Sequence, residues 1–243
     1  MRALDARDML RLWETCATLH PIDRALAVLR VGAPGRPPEE LAALPVGERE
    51  RLAVALRVRT FGERAEGACD CPACGEAHEV DPPLDAMLAA PAPPPEPVTL
   101  RIGSYEATVR LPDSVDQACA ASCDDGSTAL RTLLERCVGS ASHDGASVAP
   151  ADLPEDVVAA VAEALAALDA NAETLVDLVC VRCGQTWTVV FDAGEFLWRE
   201  VAARAQRLLY EVHVLARAYG WAEGDILALS AGRREAYLDR VGA

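Results

Sequence analysis

The chain is poor in the residues that build active clefts and membrane spans. Aromatic residues make up 5% of its 243 positions although 51% are hydrophobic. Alanine carries much of that apolar content, a composition suited to helices packed closely through small side chains. There is no run of Lys or Arg. A formal charge of -15 and a pI near 4.7 argue against a phosphate-backbone binder, because that function needs a basic face. Apolar stretches are broken by charge well short of the ~20 residues a spanning helix needs. The stretch from Met1 to Asp8 contains acids and no apolar core, so it does not read as a signal peptide. The expected location is the cytoplasm, or a particle assembled there. Neither a Gly-rich phosphate loop nor a nucleophile motif with partners is present. The four histidines, His20, His78, His143 and His213, are scattered and read as surface or packing residues. No catalysis is expected.

What the chain does have is cysteine, nine in all. In a reducing compartment these read as metal ligands or small buried hydrophobes before they read as disulfides. Two knuckles share one pattern: Cys71-Pro-Ala-Cys74-Gly75 and Cys180-Val-Arg-Cys183-Gly184. A Cys-x-x-Cys pair supplies two thiolates from one tight turn, and the following glycine permits the backbone conformation that points amides at sulfur. Each knuckle lies between strand-like segments, the pattern of a zinc ribbon. Four cysteine ligands fill a tetrahedral sphere, so one zinc ion per chain would be structural, with no open position for water. More than a hundred residues separate the knuckles, but closing so long a loop costs only ~1.5 kcal/mol more than closing one of ~20. Structural zinc binding is worth ~10–16 kcal/mol in small peptides. Cys69 is a near neighbour that could stand in for one of the four ligands. Cys16, Cys119, Cys123 and Cys137 fall on expected helices and read as core or partly exposed thiols.

The fold class expected is α+β: mostly helical, with a four-cysteine zinc ribbon built from two distant knuckles and an inserted hairpin and helical segment. Four regions follow. Residues 1–66 are helical, with Asp5 capping a first helix that stops at His20, a second carrying Ile22, Leu26 and Leu29 inward, and a third from Val46 to Phe61 ended by Gly62. Residues 67–83 and 174–192 are the two halves of the ribbon. Residues 84–173 are the insertion, opened by a stiff Pro91–Pro97 spacer and a hairpin over Val98–Ile102 and Tyr105–Leu111. Helices follow over Asp113–Cys123 and Ser127–Val138, then a loop over Gly139–Pro150, then a helix opened by Asp152 and Pro154 with Val157, Val161, Leu165 and Leu168 inward. Residues 193–243 are helical, led by a capping box of Asp192 and Glu195 and a seam of Trp198, Val201, Ala205, Leu208, Val212, Leu215 and Tyr219. Gly220 ends that helix, and two short helices close the chain, the second capped by Ser230.

The landmarks at both ends, together with the knuckles, resemble one family. They include His20-Pro21-Ile22-Asp23-Arg24-Ala25-Leu26, Leu44-Pro45-Val46-Gly47-Glu48-Arg49 and Phe191-Asp192-Ala-Gly-Glu195-Phe196-Leu197-Trp198. The stretch Ala218-Tyr219-Gly220-Trp221 through Ser230, followed by Arg233-Arg234 and Tyr237-Leu238, completes the set. The family is that of baseplate proteins of contractile phage tails and phage-tail-like injection systems. The resemblance implies a non-enzymatic structural or assembly part whose partners are other baseplate or tail proteins, with no nucleic acid and no membrane span. Trp221, Arg233, Arg234 and Tyr237 are the candidate docking residues, since Trp, Tyr and Arg are enriched at binding hot spots. Two other classes fit the same residues: a tail assembly chaperone absent from the finished particle, and a zinc-ribbon adaptor in transcription or RNA handling.

Overall fold

The computed structural model describes residues 1–94 and 97–242. Pro95 and Glu96, within the expected Pro91–Pro97 spacer, lie outside the described residues. The chain begins with α1 (Ala6–Cys16). Its first turn is a reciprocal capping box: Asp5 accepts the Asp8 N–H at 2.9 Å and Asp8 accepts the Asp5 N–H at 3.0 Å. The helix stops at Cys16, four residues before the His20 boundary the sequence suggests. Leu19 has no core to face, and His20 instead caps the next helix by accepting the Ile22 N–H. That helix, α2 (Pro21–Gly32), buries Ala25, Val28 and Leu29. Ile22 and Leu26 are only half-buried, so the inward stripe is rotated from the one expected.

After the short α3 (Pro38–Ala42), α4 (Val46–Phe61) runs to Gly62, whose φ of 94° only glycine adopts readily. A first hairpin, β1 (Gly67–Asp70) and β2 (Ala77–Val80), leads to α5 (Leu84–Ala89). The insertion follows as β3 (Val98–Ile102), β4 (Tyr105–Val109), α6 (Ser114–Ala121), α7 (Gly126–Cys137), β5 (Val138–His143), β6 (Ala146–Val148) and α8 (Glu155–Leu168). A second hairpin, β7 (Thr174–Val179) and β8 (Thr186–Phe191), leads into the long α9 (Ala193–Tyr219), and α10 (Glu223–Ala228) and α11 (Ala231–Val241) close the chain.

Two hydrophobic cores result. The first joins α1, α2, α4 and α5 to α9 through residues such as Leu12, Val28, Leu56, Met87, Val201 and Leu208. Close packing there depends on small residues: a Cβ added at Gly194 would come within 2.8 Å of the Ala25 Cβ. The second core lies within the insertion, where the antiparallel sheet β3-β4-β5-β6 packs Ala107, Val109, Val138 and Ala141 against Leu134, Val157 and Val161 of α7 and α8.

Four sequence expectations are corrected here. The stretch Gly139–Pro150, expected as a loop, forms most of β5, then β6 and a 3-10 turn over Pro150–Asp152. Its small polar residues show little apolar alternation, and pairing with β4 supplies the order. Asp144 and Gly145 at its turn both have positive φ, 50° and 80°, and Asp-Gly is a strong hairpin signal. The N-cap of α8 is Pro154, with no side-chain cap, while Asp152 ends the 3-10 turn. At α9, Asp192 accepts the Glu195 N–H at 2.7 Å, but the Glu195 carboxylate reaches Arg24 and Arg199 instead of completing a box. On the seam of α9 the buried position is Glu211, with Val212 half-buried beside it.

Polar pins connect the two cores. Gly47 N donates to Asp169 Oδ2 at 2.8 Å, and Asn171 Nδ2 to the Met87 carbonyl at 2.9 Å. Buried Arg49 donates to Ser114 Oγ at 3.0 Å and Gln117 Oε1 at 2.7 Å on α6. Its neighbour Glu50 accepts the N–H groups of Ala193 and Gly194 at 2.8 and 3.1 Å, at the first turn of α9. Burial raises the Glu50 carboxyl above its ordinary range, and the Arg49 charge opposes that rise.

Candidate metal centre

The two knuckles fold alike. In the first, Cys71 N donates to the Glu76 carbonyl at 2.8 Å and Gly75 N to the Cys71 carbonyl at 2.9 Å. In the second, Cys180 N donates to the Gln185 carbonyl at 2.8 Å and Gly184 N to the Cys180 carbonyl at 2.9 Å. Gly75 and Gly184 have φ of 70° and 75°, the left-handed conformation each turn requires. The hairpins that carry the knuckles are register-locked, Cys69 opposite His78 in one and Val179 opposite Thr186 in the other.

Folding brings the four cysteines into one cluster, with all four sulfurs within 4.8 Å of one another. The first cysteine of each knuckle meets the second of the other: Cys71 Sγ lies 3.7 Å from Cys183 Sγ, and Cys74 Sγ 3.6 Å from Cys180 Sγ. Bonded disulfide sulfurs would be ~2.05 Å apart, and all nine cysteines are free. Four thiolates at ~2.3 Å from a central zinc would stand about 3.8 Å from each other. The donor set and its spacing therefore fit a tetrahedral metal ion.

The electrostatics fit as well. Burial opposes ionisation of Cys180, but the backbone N–H groups of Cys183 and Arg182 outweigh it and bring that thiol down to about 6. At Cys74 the Glu76 backbone N–H favours the thiolate, but burial and the neighbouring sulfurs prevail and push the thiol up to about 12. One thiolate forms readily and its neighbours then resist, which is the behaviour of a thiol cluster that a cation would neutralise. Cys71 and Cys180 are buried, while Cys74 is half-buried and Cys183 exposed.

Cys69 is half-buried on β1 and stands outside the cluster. Cys16 and Cys137 are core residues, and burial raises the Cys137 thiol to about 12. Cys119 and Cys123 are half-buried. His78 packs edge-on to Trp187 at 5.5 Å, inside the ribbon, and its side chain stands beside Cys180, whose thiol it helps to lower.

The C-terminal candidates separate. Tyr219 and Trp221 stack at 4.7 Å, and Tyr237 meets both edge-on at 5.6 and 4.9 Å. Tyr219 and Arg233 are exposed, and Trp221 and Tyr237 half-buried. Arg234 points inward: its Nε donates to Glu211 Oε2 at 2.7 Å and its Nη1 to the Leu229 carbonyl at 2.5 Å. Glu211 also accepts from Arg204 at 2.7 Å. The Glu211–Arg234 contact is legible in sequence only as a carboxylate on an apolar seam.

Among the described residues no helix is long and apolar enough to cross a membrane. Residues 34–198 match a family model described as T4 bacteriophage base plate protein. No curated protein and no solved structure matches the chain.

Proposed function

Because the chain belongs to the T4 bacteriophage base plate protein family, we propose that it is a non-enzymatic part of a contractile baseplate whose fold is fastened by one structural zinc ion held by Cys71, Cys74, Cys180 and Cys183. The observation that carries the zinc reading is the pair of sulfur contacts at 3.6 and 3.7 Å, joining knuckles from distant parts of the chain. The ion would supply charge neutralisation and a cross-link, with its four positions filled by thiolates. Other baseplate or tail proteins are the partners that the family membership supports.

The chain is read as four regions: 1–66 and 193–243 helical, 67–83 with 174–192 the ribbon, and 84–173 the insertion. The two separate hydrophobic cores support an insertion with a core of its own, but α5 (Leu84–Ala89) packs into the helical core, so the insertion's own core starts after it. Trp221, Tyr237 and Arg233 remain the C-terminal docking candidates, and Arg234 leaves that set because it is buried against Glu211. The test is co-production with the other baseplate proteins of its own gene cluster, followed by particle purification. The chain should be a stoichiometric particle component. Particles that require it but do not contain it would make it an assembly chaperone, and particles of normal yield and composition without it would end the baseplate reading.

A further inference from the structure

A groove of about 530 Å³ runs between the two hairpins of the ribbon, closed on one side by the first turns of α9. Its lining includes three consecutive residues of β1, Gly67 to Cys69, and three of β8, Val189 to Phe191. Successive strand residues face opposite sides of a sheet, so a cavity that touches three in a row reaches the strand edge, while Val80 of β2 and Val176 of β7 show that it also touches one face of each hairpin. Both edges are open: β1 pairs only with β2, and β8 only with β7, among the described residues. Along each free edge, half of the backbone N–H and C=O groups point away from the partner strand, a ready template for another chain.

We propose that this groove takes an extended segment of a partner baseplate protein, added as a strand between β1 and β8. The proposal rests on the baseplate reading and names the surface through which it acts. An extended residue occupies about 3.3 Å along the strand, 4.8 Å between strands and 10 Å between faces, so the groove holds about three residues. That matches the three residues presented on each side. Phe196 of α9 and Val80 of β2 offer apolar contact to alternate side chains of the added strand.

Charge selects the occupant. Glu66 precedes β1 and Asp192 follows β8, so both carboxylates stand at the end of the groove away from the cysteines. Among the lining residues the one base is Arg199, and it pairs with Glu195 at 3.2 Å. Residues 67–198 hold 22 of the 38 acidic residues and 5 of the 23 basic ones, leaving that stretch at -17 and the rest of the chain at +2. A second copy of this acidic ribbon would be repelled, and the near-neutral remainder consists of helices. The occupant is therefore a strand of another protein that alternates apolar residues with Lys or Arg and places a basic residue at the Glu66 end.

The experiment compares amide hydrogen exchange of the full-length protein, free and within assembled baseplates. Residues 67–69 and 189–191 should exchange about 100-fold more slowly in the assembled state. Glu66 is exposed and makes no ion pair among the described residues, so Glu66→Lys should leave zinc content and melting temperature unchanged while lowering incorporation about tenfold. Unchanged exchange at both edges in particles that contain the chain would overturn the proposal and leave the baseplate reading intact. Protection that appears in the free protein as its concentration rises would overturn the choice of partner in favour of self-pairing. A chain that particles neither contain nor need would remove the baseplate reading itself.

Discussion

Arg233 and Arg234 are neighbours that face opposite ways. Arg233 is exposed, and Arg234 is 4% exposed and paired with a carboxylate that Arg204 also holds. Removing one partner of a buried pair leaves an uncompensated charge, at a cost of about 3–5 kcal/mol. Arg234→Ala should therefore lower stability by that order in urea unfolding, whereas Arg233→Ala should stay within about 0.5 kcal/mol. Nothing in the dipeptide distinguishes them; the difference comes from Glu211 on a helix two elements earlier. Asp116 carries a comparable prediction in pH. Burial disfavours its charge, but the Arg110 fork at 2.6 and 2.9 Å and Arg136 at 2.7 Å prevail and hold its carboxyl at about 2. A folded value below the unfolded one of ~3.9 stabilises fully above pH ~4, and that stabilisation is lost as pH falls toward 2. Asp116→Asn should cost about 1–3 kcal/mol at pH 7, discounted because both arginines are over a third exposed, and should flatten the acid limb between pH 4 and 2.

At the scale of elements, legibility followed how local the signal was. The two Cys-x-x-Cys-Gly knuckles announce themselves within five residues each, and α4 and α9 end where Gly62 and Gly220 say they should. The β5–β6 hairpin left only its Asp144-Gly145 turn as a signal, because its strands are mostly Gly, Ser and Ala without apolar alternation, and pairing with each other and with β4 orders them. Arg49 and Glu50 were hidden differently: alternating charge on a helix reads as a solvated face, yet each is buried against a separate partner element. The ribbon yields the firmest prediction. Elemental analysis of protein purified without added metal should find about one zinc per chain. Cys180→Ser should bind less metal and accumulate less folded protein, and chelation should speed amide exchange in β1–β2 and β7–β8 together. A metal-free sample that is reduced and fully folded would refute the centre.

For the whole molecule, α9 is the common wall. α1, α2, α4, α10 and α11 all pack on it, and its first turn receives Glu50. The insertion has a core of its own and meets the helical body through Arg49, Asp169 and Asn171. Each pin spans at least 65 positions, which is why no window of sequence reveals it. Glu50→Ala should loosen the start of α9 and expose Arg49, at about 3 kcal/mol by the logic of a broken buried pair; calorimetry of the full chain reads this directly. The ribbon gives the same separation a history in time. Cys74 and Cys180 touch across 106 positions of chain, and a ribosome adding ~5–20 residues per second needs about 5–20 s to make that stretch. During synthesis Cys71 and Cys74 stand as half of the four-cysteine cluster until the second knuckle leaves the ribosome to meet them.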